Sequence, residues 1–317
     1  MLEPCINQDT LRAILGVRGI DGPVSSRCVH HRNHVYAIHA GGRRLFLKVH
    51  TKPWYPSDPA APVRCVEHES AAYRCLHEYG LPSVPIVHAE TNCDNPIGWQ
   101  YLLMEALPGR SLTDLDATAL PAALRAVGEY LGRMHMIVFE RPGYIYRDGP
   151  SKPDRDDAWQ HPIWTLDALN KARPRDNAET EAFVHSQLPV LREAYATPRF
   201  THGDCHAHQF FLQPVHEQWQ VTGVVDLEVA SAGDCGWDLV KFMIEAAVRW
   251  SPESRWWMSF LDGYGHEMSF SSVKARFLAC GQENYTWLRG SRNWPSEREA
   301  LGYHILNAQN WEQLFVL

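Results

Sequence analysis

Residues 201–212, THGDCHAHQFFL, place three histidines, an aspartate, a cysteine and a glutamine within eight positions. Three chemistries compete for such a segment: a zinc cage, a cysteine nucleophile, and a loop that moves phosphate. His202, Asp204, His206 and His208 are acceptable zinc ligands, but zinc sites favour helical spacings or paired cysteines, and alternate residues of a short loop point apart. Cys205 stands beside histidines, yet no third group is in sequence to orient a base.

The whole chain narrows the choice. Its 317 residues, 45% hydrophobic and 21% charged, are enough to bury a substantial core and to form two lobes. A net charge of -7 argues against a nucleic-acid surface, which needs a basic excess, so small molecules are the expected partners. No apolar run approaches bilayer length and the first residues lack a secretory pattern, so a soluble, cytoplasmic protein is expected. Eight scattered cysteines without a CxxC pair read as reduced thiols. Oligomeric state is left open.

The pattern of the chain changes near residue 107. Before it, HVYAIHAGGRRLFLKVH (34–50) reads as a hairpin turning at Gly41 and Gly42. VRCVEHESAAYRCLHEYG (63–80) has apolar residues at helical spacing and stops at Gly80. GWQYLLMEALPG (98–109) is a further strand, broken by Pro108 and Gly109. Beyond it helices dominate, as in LPAALRAVGEYLGRMHMIV (120–138), TEAFVHSQLPVLREAY (180–195) and WDLVKFMIEAAVRW (237–250), with strands expected only around 209–227. This pattern predicts an α+β chain in two domains: 1–106, a small antiparallel sheet with one helix, and 107–317, a larger helical lobe. Prolines at 150, 153, 162 and 174 predict an irregular insertion within 138–185.

Phosphoryl transfer needs a carboxylate to orient the acceptor hydroxyl and take its proton, and oxygen ligands for Mg²⁺. Asp204 and Gln209 stand five positions apart, the separation of base and metal-binding amide in kinase catalytic loops. VTGVVDLEVA (221–230) then brings Asp226 to the end of an apolar strand, where a carboxylate is costly unless it holds a cation.

With those residues in view, HGDCHAHQFFL and VTGVVDLEVASAGDCGWDL resemble the aminoglycoside phosphotransferase and choline kinase-like family of small-molecule kinases, which has the bilobal protein kinase-like fold. Members commonly carry HGDxHxxN, a strand ending in Asp with an acidic residue two places on, and GDxxxDL. Those positions are here His202, Gly203, Asp204, His206, Gln209, Asp226, Glu228, Gly233, Asp234, Asp238 and Leu239. Gln209 stands where the family has Asn.

The resemblance implies Asp204 as catalytic base and Asp226 and Gln209 as Mg²⁺ ligands. It implies Lys48 as the phosphate-binding lysine, held by Glu69 on the following helix. LLMEALPG resembles the hinge between lobes, where the backbone of Glu105 and Leu107 meets a purine edge and Met104 flanks it. Ser25 and Ser26 fall where phosphate-covering turns occur, although no GxGxxG is present. His135, in GRMHMI, resembles the end of the helix beneath the catalytic loop. Asp234 and Asp238 read as structural, one in a turn and one at a helix start.

The implied activity is transfer of the γ-phosphoryl group of ATP or GTP to a hydroxyl of a small molecule such as an aminoglycoside, another antibiotic or a sugar. Gln209 keeps a nucleotide-binding pseudokinase open, because its extra methylene moves the amide oxygen by about 1.5 Å. A sugar on a lipid or glycan is a further acceptor reading. A histidine-based metallohydrolase is the third class. Tryptophans 250, 256, 257, 287, 294 and 311 suit sugar rings but sit at spacings that also suit a core.

Overall fold

The computed structural model describes residues 6–30, 34–50, 65–146, 149–151, 178–250, 255–267, 269–278 and 303–315. The chain divides into two compact units, Met1–Pro108 and Gly109–Leu317.

The first unit opens with α1 (Gln8–Gly16), whose first turn is capped by the Asn7 side chain accepting the Thr10 N–H at 2.8 Å. Leu11, Ile14 and Leu15 recur at helical spacing and bury one face. Strands β1 (Val24–His30), β2 (Val35–Ala40) and β3 (Arg43–His50) follow, then α2 (Cys65–Glu78), β4 (Ile86–Glu90) and β5 (Gln100–Glu105). The strands pair antiparallel in one five-stranded sheet, ordered β1-β2-β3-β5-β4. The expected hairpin is β2–β3, turned by Gly41 and Gly42 at φ 55° and 75°. α1 is a second helix in a unit where the sequence pattern shows only α2.

The two-residue period of β3 sorts its side chains by chemistry. Leu45, Leu47 and Val49 join Leu11, Ile14 and Leu15 of α1 in the core. Lys48 and His50 fall on the opposite face, where both meet Glu69 of α2.

The second unit runs β6 (Arg110–Ser111), α3 (Leu120–Met134), β7 (Gly143–Tyr146), β8 (Gly149–Ser151), α4 (Ala178–Ala196) and β9 (Arg199–Thr201). Next come β10 (Phe210–Val215), β11 (Gln218–Val224), β12 (Ser231–Gly233), α5 (Gly236–Arg249), α6 (Trp256–Tyr264), α7 (Phe270–Arg276) and α8 (Trp311–Phe315). Strand content exceeds the expectation: besides the β10–β11 hairpin, which pairs with β6, a second sheet runs β8-β7-β12-β9. These added strands are two to four residues long, too short to show a period in sequence. The segment expected to be irregular holds β7, β8 and the start of α4, and the prolines at 153, 162 and 174 lie outside the described residues.

Most described aromatic side chains of α5 and α6 are core. Phe242 stacks on Phe260 at 4.6 Å, and Trp256, 1% exposed, packs among Trp250, Trp257 and Phe315. Trp287 and Trp294 lie outside the described residues. Among the described residues no helix is long and apolar enough to cross a membrane.

α3 and α6 cross at backbone contact. A Cβ on Gly128 would overlap the Phe260 carbonyl oxygen and the Tyr264 amide, and one on Gly132 would meet the Tyr264 carbonyl. Overpacking such a seam forces backbone apart. Gly128→Val is expected to cost more than about 2 kcal/mol in urea unfolding. Gly16→Ala, where a Cβ meets nothing within 4 Å, should stay within about 1 kcal/mol of the parent.

Candidate active site

The loop 202–209 lies between β9 and β10 and has little regular structure, so its backbone groups need partners from elsewhere. Asp238, in the first turn of α5 and fully buried, supplies two of them. Its Oδ2 accepts the His202 N–H at 2.6 Å and its Oδ1 accepts the Gly203 N–H at 2.8 Å. His135, the C-cap of α3, adds its Nε2 at 3.2 Å, and its Nδ1 meets the Tyr264 hydroxyl at 2.9 Å. Burial alone would raise the Asp238 carboxyl, but His135 and the loop amides outweigh it and hold it low. Asp238 is structural, as expected, but it serves the loop's amides and not those of its own helix. Asp234 accepts the Gly236 N–H and holds Arg276 at 2.6 and 2.9 Å.

Gly203 adopts φ +81°, and a Cβ there would overlap the Val229 carbonyl. A larger residue is excluded on both counts, so the turn that follows His202 is a glycine position.

His202 is buried, and its Nε2 donates to the Val225 carbonyl at 3.0 Å while its Nδ1 lies 3.4 Å from the Asp204 N–H. Burial pushes its pKa down, which suits a neutral ring donating at one nitrogen and accepting at the other. The Val225 N–H in turn donates to the Gln209 carbonyl at 3.1 Å. Both polar groups of Val225 therefore hold the loop, and Asp226 is the next residue. Asp226 has φ +66°, a left-handed conformation that costs an ordinary residue about 1 kcal/mol and that Asp tolerates better than most.

The Asp204 side chain is 41% exposed. Its Oδ1 receives Lys241 Nζ at 2.9 Å and His206 Nε2 at 3.2 Å. Both contacts fall on Oδ1, so among the described residues Oδ2 has no protein partner. Burial would raise the carboxyl, but the His206 hydrogen bond and the Lys241 charge hold it well below the usual range, as a carboxylate. His206 links two acids, with Nδ1 3.5 Å from Glu245 of α5. Burial would lower its pKa; the hydrogen bonds to Asp204 and Glu245 raise it to about 9, so the ring is an imidazolium at neutral pH. Glu245 also accepts the Ala207 N–H and holds Arg249 at 2.9 Å. The sequence reading missed Lys241 and Glu245.

Gln209 is buried, and its Oε1 accepts the His206 N–H at 2.7 Å, closing a capping box over the one-turn helix Ala207–Gln209. Its Nε2 is buried with no hydrogen-bond partner among the described residues. One lone pair of Oε1 is left for a cation. Asp226 is a hard oxygen donor of the kind Mg²⁺ takes, and it adjoins Val225, whose N–H bonds to Gln209. Cys205 is wholly buried, and burial, Asp238 and Glu245 push its thiol well above the ordinary value, which excludes an accessible thiolate. His202 turns away to Val225, but His206 and His208, expected to point apart, stack on each other at 5.6 Å and both approach Glu245, at 3.5 and 3.8 Å.

In the first unit, Lys48 Nζ lies 3.1 and 3.0 Å from the two oxygens of Glu69. His50 Nε2 lies 3.2 Å from Glu69 Oε2, and the Tyr73 hydroxyl, one turn on, donates to Oε1 at 3.3 Å. Burial pushes the Glu69 carboxyl up; the Lys48 charge and His50 outweigh it and hold the pKa at about 2. Met104 is buried on β5, paired with Phe46 on one side and Ile86 on the other. The Glu105 N–H donates to Pro85 and its side chain meets Arg43, and the ladder ends as the Ala106 N–H donates to Arg44, leaving Leu107 half-buried beyond it. Ser25 and Ser26 are not in a turn. They lie exposed on β1, opposite His39 and Ile38 of β2.

The sequence pattern of the phosphotransferase enzyme family, APH, matches residues 30–291. A protein from Ralstonia eutropha JMP134 provisionally named an aminoglycoside phosphotransferase has TM-score 0.61 and 12% identity, over 98% of this chain and 97% of its own. A thermostable mutant of aminoglycoside phosphotransferase APH(4)-Ia, in ternary complex with ADP and hygromycin B, has TM-score 0.59 and 13% identity, over 94% and 98%. APH(3'')-Id from Streptomyces rimosus, in complex with ADP and streptomycin, has TM-score 0.56 and 18% identity, over 87% and 97%. At these identities the likeness is one of fold.

Glu69 makes stability pH-dependent in a stated direction. Its folded pKa of about 2 lies below its ordinary 4.5, so its contribution is full above pH 4.5 and is lost as pH falls toward 2. Urea unfolding from pH 7 to pH 2 should therefore show an acid-limb loss that is shallower in Glu69→Gln, which starts lower because the carboxylate charge beside the buried Lys48 is removed.

Proposed function

The chain belongs to the phosphotransferase enzyme family, and from that premise we propose that it transfers the γ-phosphoryl group of ATP or GTP to a hydroxyl of a small molecule. The observation that carries the reading is the division of labour within Asp204: Oδ1 is held by Lys241 and His206, and Oδ2 is open on a partly exposed side chain. An aspartate so held presents one oxygen to an incoming hydroxyl in a fixed direction.

In the proposed step the acceptor oxygen attacks the γ-phosphorus in line, the bond from that phosphorus to the β,γ-bridging oxygen breaks, and the nucleoside diphosphate leaves. The hydroxyl proton passes to Asp204 Oδ2. Its lowered pKa makes Asp204 a weak proton acceptor, so its main contribution is orientation, which suits a loose transition state in which proton transfer is late. Lys48, held by Glu69, is assigned to the α- and β-phosphates, and the strand-end backbone at Glu105 and Leu107, beside Met104, to the purine edge. Asp226 and the remaining lone pair of Gln209 Oε1 would hold Mg²⁺, which when bound neutralises phosphate charge. Ser25 and Ser26, on an exposed strand, support phosphate contact less well than the other assignments.

Structures of this fold hold ADP with hygromycin B and ADP with streptomycin, which makes hydroxyl-rich antibiotics the first acceptors to test. Nucleotide binding without transfer is the competing reading, and the observation in its favour is that Gln209 Oε1 is already engaged by the His206 N–H.

Mg²⁺-dependent consumption of ATP and GTP across a panel of aminoglycosides, other antibiotics, amino alcohols and sugars decides between them. The expected result is ADP or GDP formation stimulated by one compound class and reduced at least about 10³-fold in Asp204→Asn, with nucleotide binding by thermal shift preserved. Binding without stimulated turnover would favour the pseudokinase reading. Full activity in Asp204→Asn would remove Asp204 as the base.

A further inference from the structure

α5 turns one polar face to the loop 202–209. Asp238, Lys241 and Glu245 stand at i, i+3 and i+7, the spacing of a single helical stripe. They meet the loop in chain order: Asp238 at His202 and Gly203, Lys241 at Gly203 and Asp204, Glu245 at His206 and Ala207. The sequence motif that contains Asp238 ends at Leu239, so Lys241 and Glu245 lie beyond it.

We propose that Lys241 is a positioning residue for Asp204, fixing the carboxylate so that Oδ2 faces the acceptor hydroxyl. The inference rests on the phosphotransferase reading above and deepens it. Lys241 Nζ donates to the Gly203 carbonyl at 2.7 Å and to Asp204 Oδ1 at 2.9 Å. One ammonium therefore ties the backbone before Asp204 and the side chain of Asp204 to the same helix. A lysine that held only the carboxylate would follow it through its rotamers; one that also holds the preceding carbonyl restricts them. His206 meets the same oxygen and is braced by Glu245. With both contacts on Oδ1, the second oxygen is the one left open among the described residues.

The bland alternative is a surface ion pair of little consequence. Against it, the Lys241 side chain is only 19% exposed, on a helix whose Leu239, Val240, Phe242, Met243 and Ile244 are buried. A lysine in that setting needs partners to offset lost hydration, and both it has belong to the loop.

Stability alone does not separate positioning from packing, so the test reads kinetics. ADP formation from Mg²⁺-ATP is measured with the acceptor the panel identifies, in wild type, Lys241→Met, Lys241→Arg, Asp204→Asn and the Lys241→Met/Asp204→Asn double variant. Lys241→Met is expected to lower kcat about 10²-fold, the scale of a misplaced reacting group, with KM for ATP changed less than about threefold. Lys241→Arg, which keeps a cation, should recover at least about a tenth of the wild-type rate. In the Asp204→Asn background, Lys241→Met should add less than about threefold, because the two act as a unit. If Lys241→Met does not fold, Lys241→Gln is read by the same criteria. A kcat within threefold of wild type, or a loss confined to KM for ATP, overturns the inference alone. Absence of ADP formation by the wild-type protein with every acceptor overturns the phosphotransferase reading and this inference with it.

Discussion

Asp238 is the constraint on which the candidate site depends. A loop that carries chemistry cannot spend its backbone on helix or sheet bonds, yet its buried amides still need acceptors. One carboxylate at the start of α5 takes two consecutive amides and is itself held by His135 from α3. The arrangement is favourable because charge and donors match: a buried carboxylate with three donors keeps its charge, whereas an unpaired one would take up a proton. α3, α5 and the loop are joined at that point, and the close α3–α6 crossing behind it gives the joint a rigid backing.

The first unit solves a related problem differently. Lys48 and Glu69 are both buried in contact with each other, and such a pair, relative to apolar residues, seldom adds stability, since desolvation offsets attraction. Its effect is geometric. The period of β3 sends Lys48 to the face that α2 covers, and Glu69, with His50 and Tyr73 on its oxygens, fixes where the ammonium sits. Order of this kind is useful where a charge must meet phosphate without reorganising.

Legibility in the sequence followed the range of the signal. The β2–β3 hairpin, Lys48 on its strand end and the stop of α2 at Gly80 were readable because turn chemistry and periodicity act over a few residues. Glu69 as the partner of Lys48 came from the family resemblance and not from helix periodicity, and the structure puts the two in contact. The short strands β7, β8, β9 and β12 were not, because three or four residues carry no period and their pairing is set by partners far along the chain. Ser25 and Ser26 were expected in a turn; β1 is a strand by its pairing with β2, and its mostly exposed, polar residues show no alternation to read. Lys241 and Glu245 were hidden for another reason. As single polar residues in an apolar helix they read as its solvent face, and only the position of the loop shows that the face is occupied.

Gln209 shows how one methylene redistributes these roles. An asparagine at this position has a shorter reach, whereas the glutamine carboxamide extends back to the amide of His206, the N-cap of its own one-turn helix. The loop thereby satisfies one more of its donors from within, while Gln209 Nε2 is left buried without a partner. A buried unpaired donor is unfavourable by about 1–3 kcal/mol, so the cap is retained against that cost. His206 gains a fixed backbone, which matters because its ring bridges Asp204 and Glu245. In the proposed reaction the same amide oxygen would be shared between capping and Mg²⁺, and the heavier share of the ion would fall on Asp226. On that reading loop rigidity and metal affinity would be traded through a single side chain, while Lys241 of α5 holds the Asp204 carboxylate independently of Gln209.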